Sequence, residues 1–261
     1  MASLSLADLR YKYYLNPTPP GPVEPVLPTL TGLRLHLDAS SLSLADGAPV
    51  DVWTDKSPNG YSPTSTGGLR PVFKTNILNG RPVVRFDGSL TQNMVFPATP
   101  SAIMAAATAG TILFVKKIIP HGTSETLSSF ALGAWGTMGS TDHWPYVEGT
   151  LYTSWGAQGR TSKAGVGAAM EVAKAYCIVS APLDWRIYFG GGPVFHFTTD
   201  NTVQWNSTLS ATLGRDLRGS IYFTGEIAEV VAYNRKLTSA EINQVGAYLN
   251  TKWGVPWAAV A

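Results

Sequence analysis

The sequence predicts an all-β fold, a sandwich of two antiparallel sheets with one C-terminal helix and an extended N-terminal arm. The 261 residues include 26 glycines and 18 prolines but only 14% charged residues, a composition that suits short strands and turns. Short apolar runs recur between these turns, as in sandwich domains. One capped helical pattern follows the last run. With 44% apolar residues, the chain can fill one two-layer core.

Residues 1–31 are predicted to form an arm, and residues 32–261 the sandwich domain. A short helix near the start is too short to be stable alone. It would present a small apolar edge: Leu6, Leu9, Tyr13 and Tyr14. Six prolines between Pro17 and Pro28 favour an extended polyproline spacer. The arm is therefore either a disordered tail or an anchor that becomes ordered against another subunit.

The first strand of the domain is predicted over residues 33–38. Leucines alternate there with polar residues, which is typical of a half-exposed strand, so we expect His36 to be solvated or to cap a turn rather than to bind a ligand. Further strands separated by turn sequences are expected over residues 50–54, 83–86 and 94–96.

The middle of the chain supplies the body of both sheets. Its strands are predicted over residues 111–117, 128–135, 151–155, 175–181, 185–189, 194–197 and 207–213. Aromatic residues near polar ones suit a shallow sugar site, where a ring stacks on the sugar and polar groups bond its hydroxyls. The candidate ligand-binding residues are Trp135, Trp144, Tyr146, Trp155, Trp205, Asp142 and His143. For any single tryptophan, core packing is the competing interpretation.

The C-terminal stretch carries the clearest local signals. Residues 221–232 contain a strand that is apolar on both faces, which indicates a central strand. Thr238 and Glu241 have the spacing of a capping box, which satisfies the first free N–H groups of a helix. Four apolar residues then form one stripe that would cover a sheet: Ile242, Val245, Leu249 and Trp253. Gly254 ends the helix.

Two blocks of sequence resemble one family. The closing block contains residues 225–230, 233–235 and 252–254, and the early block, residues 37–88, contains DVWTDKSPNG and LNGRPVVRFDG. In this order they resemble bacterial and phage concanavalin A-like, laminin G-like domains. The resemblance implies a jelly roll over about residues 32–255, with the first and last strands adjacent. It also implies that Trp53 packs in the core and that its aspartate neighbour holds the following loop. It implies no particular ligand.

The sequence argues against an enzyme. Glycoside hydrolysis with retention uses two carboxylates about 5 Å apart, and the resembled family places them at Glu-x-Asp-x-Glu spacing on one strand face. Glu226 and Glu229 are three residues apart and are expected on opposite faces. Glu229 interrupts an apolar run, so we expect it in a buried structural pair, for instance with Arg215. The four histidines come without the Gly-x-Ser-x-Gly motif of a serine hydrolase.

Other chemistries have less support. No cofactor is expected, and a bound calcium ion is the alternative. The loop oxygens that would suit calcium match no dense acidic loop: Asp142, Glu148, Asp200 and Asn201. The single cysteine, Cys177, lies in an apolar run and is expected to be buried. A net charge of +2 without runs of Lys or Arg disfavours nucleic acid. No apolar stretch is long enough to insert in a membrane, and no secretory signal is apparent.

Together these features predict a non-catalytic, lectin-like protein. The segment SLADLRYKYYL resembles leader segments of tail proteins from phages of actinobacteria. That resemblance implies a virion structural protein, such as a minor tail or particle-surface component, present as a homo-oligomer or in many copies. It would dock on other virion proteins through residues 1–28 and bind host surface glycans. The alternative is an architectural decoration or spacer domain without a ligand, and a glycoside hydrolase is the weaker third hypothesis.

Overall fold

The computed structural model describes residues 24–119, 144–145, 149–156, 161–198, 202–217 and 221–261. This part of the chain is an antiparallel β-sandwich with one long C-terminal helix, as predicted. The strands are β1 (Leu33–Asp38), β2 (Val72–Leu78), β3 (Arg81–Phe86), β4 (Met94–Val95), β5 (Gly110–Ile118), β6 (Leu151–Thr153), β7 (Thr161–Lys163), β8 (Lys174–Ala181), β9 (Asp184–Phe189), β10 (Gly192–Phe197), β11 (Thr212–Leu213) and β12 (Gly225–Tyr233). The helices are α1 (Pro100–Ile103) and α2 (Ser239–Trp253).

Eight strands form the main sheet. Their order is β10-β9-β8-β5-β12-β3-β2, and β1 pairs with the second half of β12. Every residue of β12 is buried, which confirms the predicted central strand. Its pairing with β1 makes the first and last strands neighbours, as the resemblance implies. Cys177 on β8 is buried as expected, and this burial raises the pKa of its thiol.

A β-bulge in β12 decides which side chains share a face. The register between β12 and β5 shifts between Ile227 and Glu229, because one residue of β12 has no counterpart in β5. Glu226 therefore lies opposite Lys117, and Glu229 lies opposite Val115. Lys117 and Val115 are two residues apart and share a face. Both glutamates thus belong to one face, and the expectation that they lie on opposite faces is wrong.

The helix α2 begins and ends where the sequence predicts. The Glu241 N–H donates to the Thr238 hydroxyl, and the Thr238 N–H donates to the Glu241 carboxylate. Arg235 also bonds this carboxylate, and these hydrogen bonds lower the pKa of Glu241 to about 2. The four stripe residues are buried, and Gly254 closes the helix with a φ of 66°. None of the described helices has the length and apolar character needed to cross a membrane.

The early block folds around two residues of its motif. Trp53 is fully buried. The Asp55 carboxylate accepts hydrogen bonds from the backbone N–H groups of His36, Ser57 and Tyr61, so it holds the loop in place. Both findings confirm what the resemblance implies.

Two predicted strands are shorter in the structure. Residues 50–54 form only isolated bridges, one of them between Val52 and Thr64. The strand predicted over residues 207–213 is reduced to β11. The Asn206 side chain accepts hydrogen bonds from the N–H groups of Thr208 and Leu209, and these local bonds replace strand pairing.

Residues 24–31, which we call the strap, lie against the domain. Leu27 and Leu30 pack on its core, and the Glu24 carboxylate lies 2.7 Å from the Arg81 guanidinium. The division of the chain at residue 31 stays a prediction. The predicted docking residues lie outside the described part of the chain: Leu6, Leu9, Tyr13 and Tyr14.

Candidate functional site

Three of the predicted ligand-binding tryptophans pack inside the domain. Trp144 and Trp155 have no exposed surface, and Trp205 is nearly buried. The ring centre of Trp144 lies 5.7 Å from that of Phe114 and 6.0 Å from that of Tyr176. Trp155 and Trp205 meet edge to face at 5.0 Å. A ring that packs on the core offers no face to a sugar, so this burial contradicts the predicted stacking role of these three residues.

The other predicted ligand residues lie in segments that the structure does not describe: Trp135, Tyr146, Asp142 and His143. The same holds for the calcium candidates Asp142, Glu148, Asp200 and Asn201. Their roles stay predictions.

A buried polar group lies between β1, β12 and α2, and we call it the Lys252 cluster. It consists of His36, Asp38, Glu229, Tyr248, Lys252 and Trp253. The Lys252 ammonium donates to Asp38 at 2.8 Å, to Glu229 at 2.9 Å and to the Tyr248 hydroxyl at 3.0 Å. An ammonium has three donors, so Lys252 has none left for a ligand.

Glu229 accepts hydrogen bonds from four side chains of this cluster. Besides Lys252, its donors are His36 at 2.7 Å, Tyr248 at 2.7 Å and Trp253 at 2.6 Å. The predicted buried pair of Glu229 is therefore confirmed, but the predicted partner is wrong, since Arg215 donates to Asn93 instead. The expectation that His36 is solvated is also wrong, because β1 is covered where the sequence suggested a half-exposed strand.

The electrostatics of the cluster act on the protonation of two of its members, Asp38 and Tyr248. Burial raises the pKa of Asp38, but the Lys252 charge and hydrogen bonds from Lys252, Ser40 and Lys56 hold it well below its ordinary value. Burial and the nearby Glu229 charge raise the pKa of Tyr248. Asp38 thus stays ionised and Tyr248 stays neutral near pH 7. Neither is tuned to exchange protons at that pH, as a general acid or base must.

The same cluster contains the only metal-like donor set in the described ranges. His36, Asp38 and Glu229 each offer one ligand atom, and these atoms lie within 4.8 Å of one another. The Lys252 ammonium already bonds both carboxylates, so it supplies the cation that such a set requires. The donor set fits an internal ion-pair network better than it fits a metal ion.

A groove of about 460 Å³ opens between the strap and the Lys252 cluster. Its size suits a small ligand. Its lining includes Asp38, which accepts from Lys252 at 2.8 Å and from Lys56 at 2.9 Å. These charged groups in the lining of the groove therefore already have partners within the protein.

Glu226, the other acid of β12, is also paired. It is nearly buried and accepts two hydrogen bonds from the Arg85 guanidinium through its Oε1 atom. Its Oε2 atom is buried without a hydrogen-bond partner among the described residues. Both glutamates of the central strand are thus buried and paired with a cationic side chain.

The outer edge of the main sheet has a different character, and we call Phe195, His196 and Phe197 of β10 the aromatic edge. Phe197 is 41% exposed and is the only aromatic residue among the exposed large apolar side chains of the described ranges. Its ring centre lies 4.5 Å from that of Phe195, which contacts Trp185 edge to face at 6.0 Å. This edge offers a ring to solvent, as the three buried tryptophans do not.

Next to β10, two cationic side chains and a histidine surround Asp184, and we call these four residues the basic group. Asp184 accepts from Arg186 at 2.6 Å, from His196 at 3.1 Å and also from Lys236. Burial raises the pKa of Asp184, but the bonds from Arg186 and Lys236 outweigh it and lower the pKa. Sequence reasoning missed this site because its members come from β9, β10 and the turn before α2. The only local signal is the alternation Phe-His-Phe.

Comparisons with known proteins agree with this architecture. The family model described as the concanavalin A-like lectin/glucanases superfamily matches residues 144–243, less than half of the chain. No curated protein matches the sequence. Trypanosoma rangeli sialidase in complex with the inhibitor DANA is 17% identical, with a TM-score of 0.54 over 85% of this chain and 33% of the sialidase chain. The same enzyme in complex with sialic acid is 17% identical, with a TM-score of 0.54 over 87% of this chain and 35% of the sialidase chain. The botulinum neurotoxin serotype D/C VPI 5993 binding domain is 11% identical, with a TM-score of 0.49 over 86% of this chain and 55% of the toxin chain.

The strands form an antiparallel sandwich, and the match of residues 144–243 to this family model supports a concanavalin A-like jelly-roll fold. The chain spans about a third of the length of the sialidases it resembles. At 17% identity, that likeness concerns the fold alone.

Proposed function

We propose that this chain is a non-catalytic, lectin-like structural protein of a phage particle, and that its sandwich binds host surface glycans. The observation that carries the binding function is the exposed ring of Phe197 beside Phe195, with three members of the basic group on β9 and β10. A ring of this kind stacks on the C–H face of a sugar, and adjacent polar side chains bond its hydroxyls. The lectin/glucanase type of the fold supports the same function.

The state of the central-strand acids supports binding without cleavage. Glycosidases need one carboxylic acid to protonate the leaving group and one carboxylate to attack or to activate water. Glu229 is buried and bonded by four donors, while Glu226 is paired with Arg85. Within the described ranges, these two acids are therefore structural.

The particle location rests on the N-terminal sequence. Its likeness to phage tail leaders supports docking of residues 1–28 on other virion proteins, with several copies per particle. The strap connects the leader to the domain: Glu24 pairs with Arg81, and Arg81 also donates to the Lys252 carbonyl at the end of α2.

Binding is tested by applying the full chain to an array of oligosaccharides and then measuring affinities for those that bind. Phe197→Ala should weaken binding about tenfold, as expected for the loss of one stacking ring. Leu209→Ala is the matched control, because Leu209 is 40% exposed, and it should change nothing. Signals no higher than background would favour the architectural alternative. Equal losses in both variants would exclude the aromatic edge as the site.

Catalysis and docking have separate tests. Bound glycans should release no reducing sugar on incubation with the protein. Release that is lost in Glu226→Gln or Glu229→Gln would show that the protein is an enzyme. Deleting residues 1–23 should abolish incorporation into particles, and normal incorporation would move the attachment surface to the domain.

A further inference from the structure

The basic group of the β9–β10 edge has an excess of positive charge. Arg186 bonds both oxygens of Asp184, at 2.6 and 3.1 Å, and Lys236 and His196 bond the same carboxylate. One acid thus faces two permanent cations and a histidine. The next acid along the chain, Glu241, is committed to Arg235 at 2.7 and 2.9 Å. The group therefore keeps a net positive charge of at least one.

Lys236 and His196 are also accessible. Each side chain is 46% exposed. Lys236 donates one hydrogen bond to Asp184, and an ammonium has three donors. This is the opposite of Lys252, which is buried and fully bonded. An anion that approaches this edge meets two donors of the Lys236 ammonium that the fold has not used.

A groove of about 120 Å³ lies between Arg186, Lys236 and the first turn of α2. It has room for a carboxylate and the carbons next to it, since a water molecule takes up about 30 Å³. Its floor is apolar, with Val179 and Ile242. The capping box bonds the N–H groups of Thr238 and Glu241 at the start of α2, and the Lys236 and Arg186 side chains supply the positive charge at this groove.

The basic group and the exposed ring flank the same strand. His196 lies between Phe195 and Phe197 on β10, and neighbouring residues of a strand point to opposite faces. Among the described strands, β10 pairs only with β9. Phe197 pairs with Trp185 and His196 pairs with Arg186, so the ring and the basic group lie on opposite faces of this edge, and a glycan that reaches both has to cross β10.

We infer that the glycans bound by this protein carry a carboxylate, which Lys236 and Arg186 hold beside the aromatic edge. This inference rests on the proposed glycan-binding function and names the ligand class. Charge complementarity carries it, because a neutral sugar leaves the unused donors and the excess charge without a counterpart.

The test compares sugars that differ only in the carboxylate. A hexuronate trisaccharide and a sialylated trisaccharide are each titrated into the full chain by calorimetry, beside their carboxyl-reduced forms. At least one carboxylated form should bind about tenfold more tightly than its reduced form, the value of one charge-assisted hydrogen bond pair. The advantage should shrink as salt is raised. Which of the two binds identifies the source of the carboxylate.

Three variants separate recognition from a structural role. Lys236→Gln should weaken binding of the carboxylated sugar about fivefold and leave the reduced form unchanged. Asp184→Asn should strengthen it, because the competing internal carboxylate is gone. Lys74→Gln removes a comparable surface lysine, which pairs with Asp46 at 2.6 Å, and should have no effect. Melting temperatures check that each variant is folded.

The outcomes distinguish the two levels of the proposal. Equal binding of carboxylated and reduced sugars overturns the inference and leaves glycan binding intact. Weakening by Asp184→Asn as well as by Lys236→Gln also overturns it, because the pairs would then be structural. The absence of binding to any sugar overturns the proposed function itself.

Discussion

Replacing Lys252 by Met should destabilise the domain more than any other single loss of charge in the described structure. The variant keeps the length of the side chain but leaves Asp38 and Glu229 buried without their shared cation. Tyr248 also loses its donor. The three elements that Lys252 joins, β1, β12 and α2, are the first and last of the sheet and the helix that covers them.

The size of the effect follows from the contacts that remain. Removing one partner of a buried ion pair costs about 3–5 kcal/mol. The lower value applies here, because Asp38 keeps Lys56 at 2.9 Å and Glu229 keeps His36 at 2.7 Å. For 261 residues the entropy of unfolding is about 0.5 kcal/mol per kelvin. A loss of about 3 kcal/mol then lowers the melting temperature by about 6 °C.

The matched control is Lys56→Met, which removes the other lysine from the same Asp38. The Lys56 side chain is 42% exposed, while that of Lys252 is 4% exposed. An exposed pair contributes at most about 1 kcal/mol. Both variants are compared by urea denaturation and by thermal unfolding.

The pH dependence provides a second readout. The folded pKa of Asp38 is lowered, so Asp38 adds stability above its unfolded pKa of about 4 and loses it as the pH falls through the folded value. Without Lys252 the folded pKa of Asp38 rises, so the variant loses less stability than the wild type when the pH is lowered. The difference in unfolding free energy between Lys252→Met and the wild type should therefore become smaller below about pH 4. Equal melting temperatures for the two variants, or a difference unchanged at low pH, would refute this account of the cluster.

Three further predictions concern other parts of the fold. Trp253→Ala should cost about 3–5 kcal/mol, because the ring is buried and its N–H bonds Glu229 at 2.6 Å; an unchanged melting temperature would contradict this. Burial lowers the pKa of Lys116, so wild-type stability should rise with pH up to its unfolded pKa of about 10.4, and Lys116→Met should flatten that rise in urea titrations from pH 7 to 10. Deleting residues 1–23 should leave the melting temperature unchanged, whereas deleting residues 1–31 should lower it, since the longer deletion removes Leu27, Leu30 and the Glu24–Arg81 pair; equal values would show that the strap adds no stability.

Local features of the fold were predictable because local interactions produce them. The Thr238–Glu241 capping box, the apolar stripe of α2 and Gly254 involve residues a few positions apart, and the structure has each where the sequence predicts it. The continuous apolar character of β12 likewise indicated a central strand. Such signals depend on backbone geometry and periodicity, which a short window of sequence contains.

The sequence was a poor guide wherever the answer depended on a partner far along the chain. An even alternation put Glu226 and Glu229 on opposite faces, but the bulge reverses that, and bulges arise from pairing between strands. Glu229 finds Lys252, Tyr248 and His36 instead of Arg215, because α2 and β1 both pack at that point.

For the aromatic residues, too, the sequence indicated the residue types but not which of them are exposed. Their number and their polar neighbours were compatible with a surface site, yet Trp144, Trp155 and Trp205 fill the core, while Phe197 at the sheet edge is exposed. The sequence by itself determined the class of fold, the central strand and the capped helix. Only the tertiary structure decided which side chains face solvent and which charges meet, because burial and ion pairing depend on distances between segments that the chain brings together when it folds.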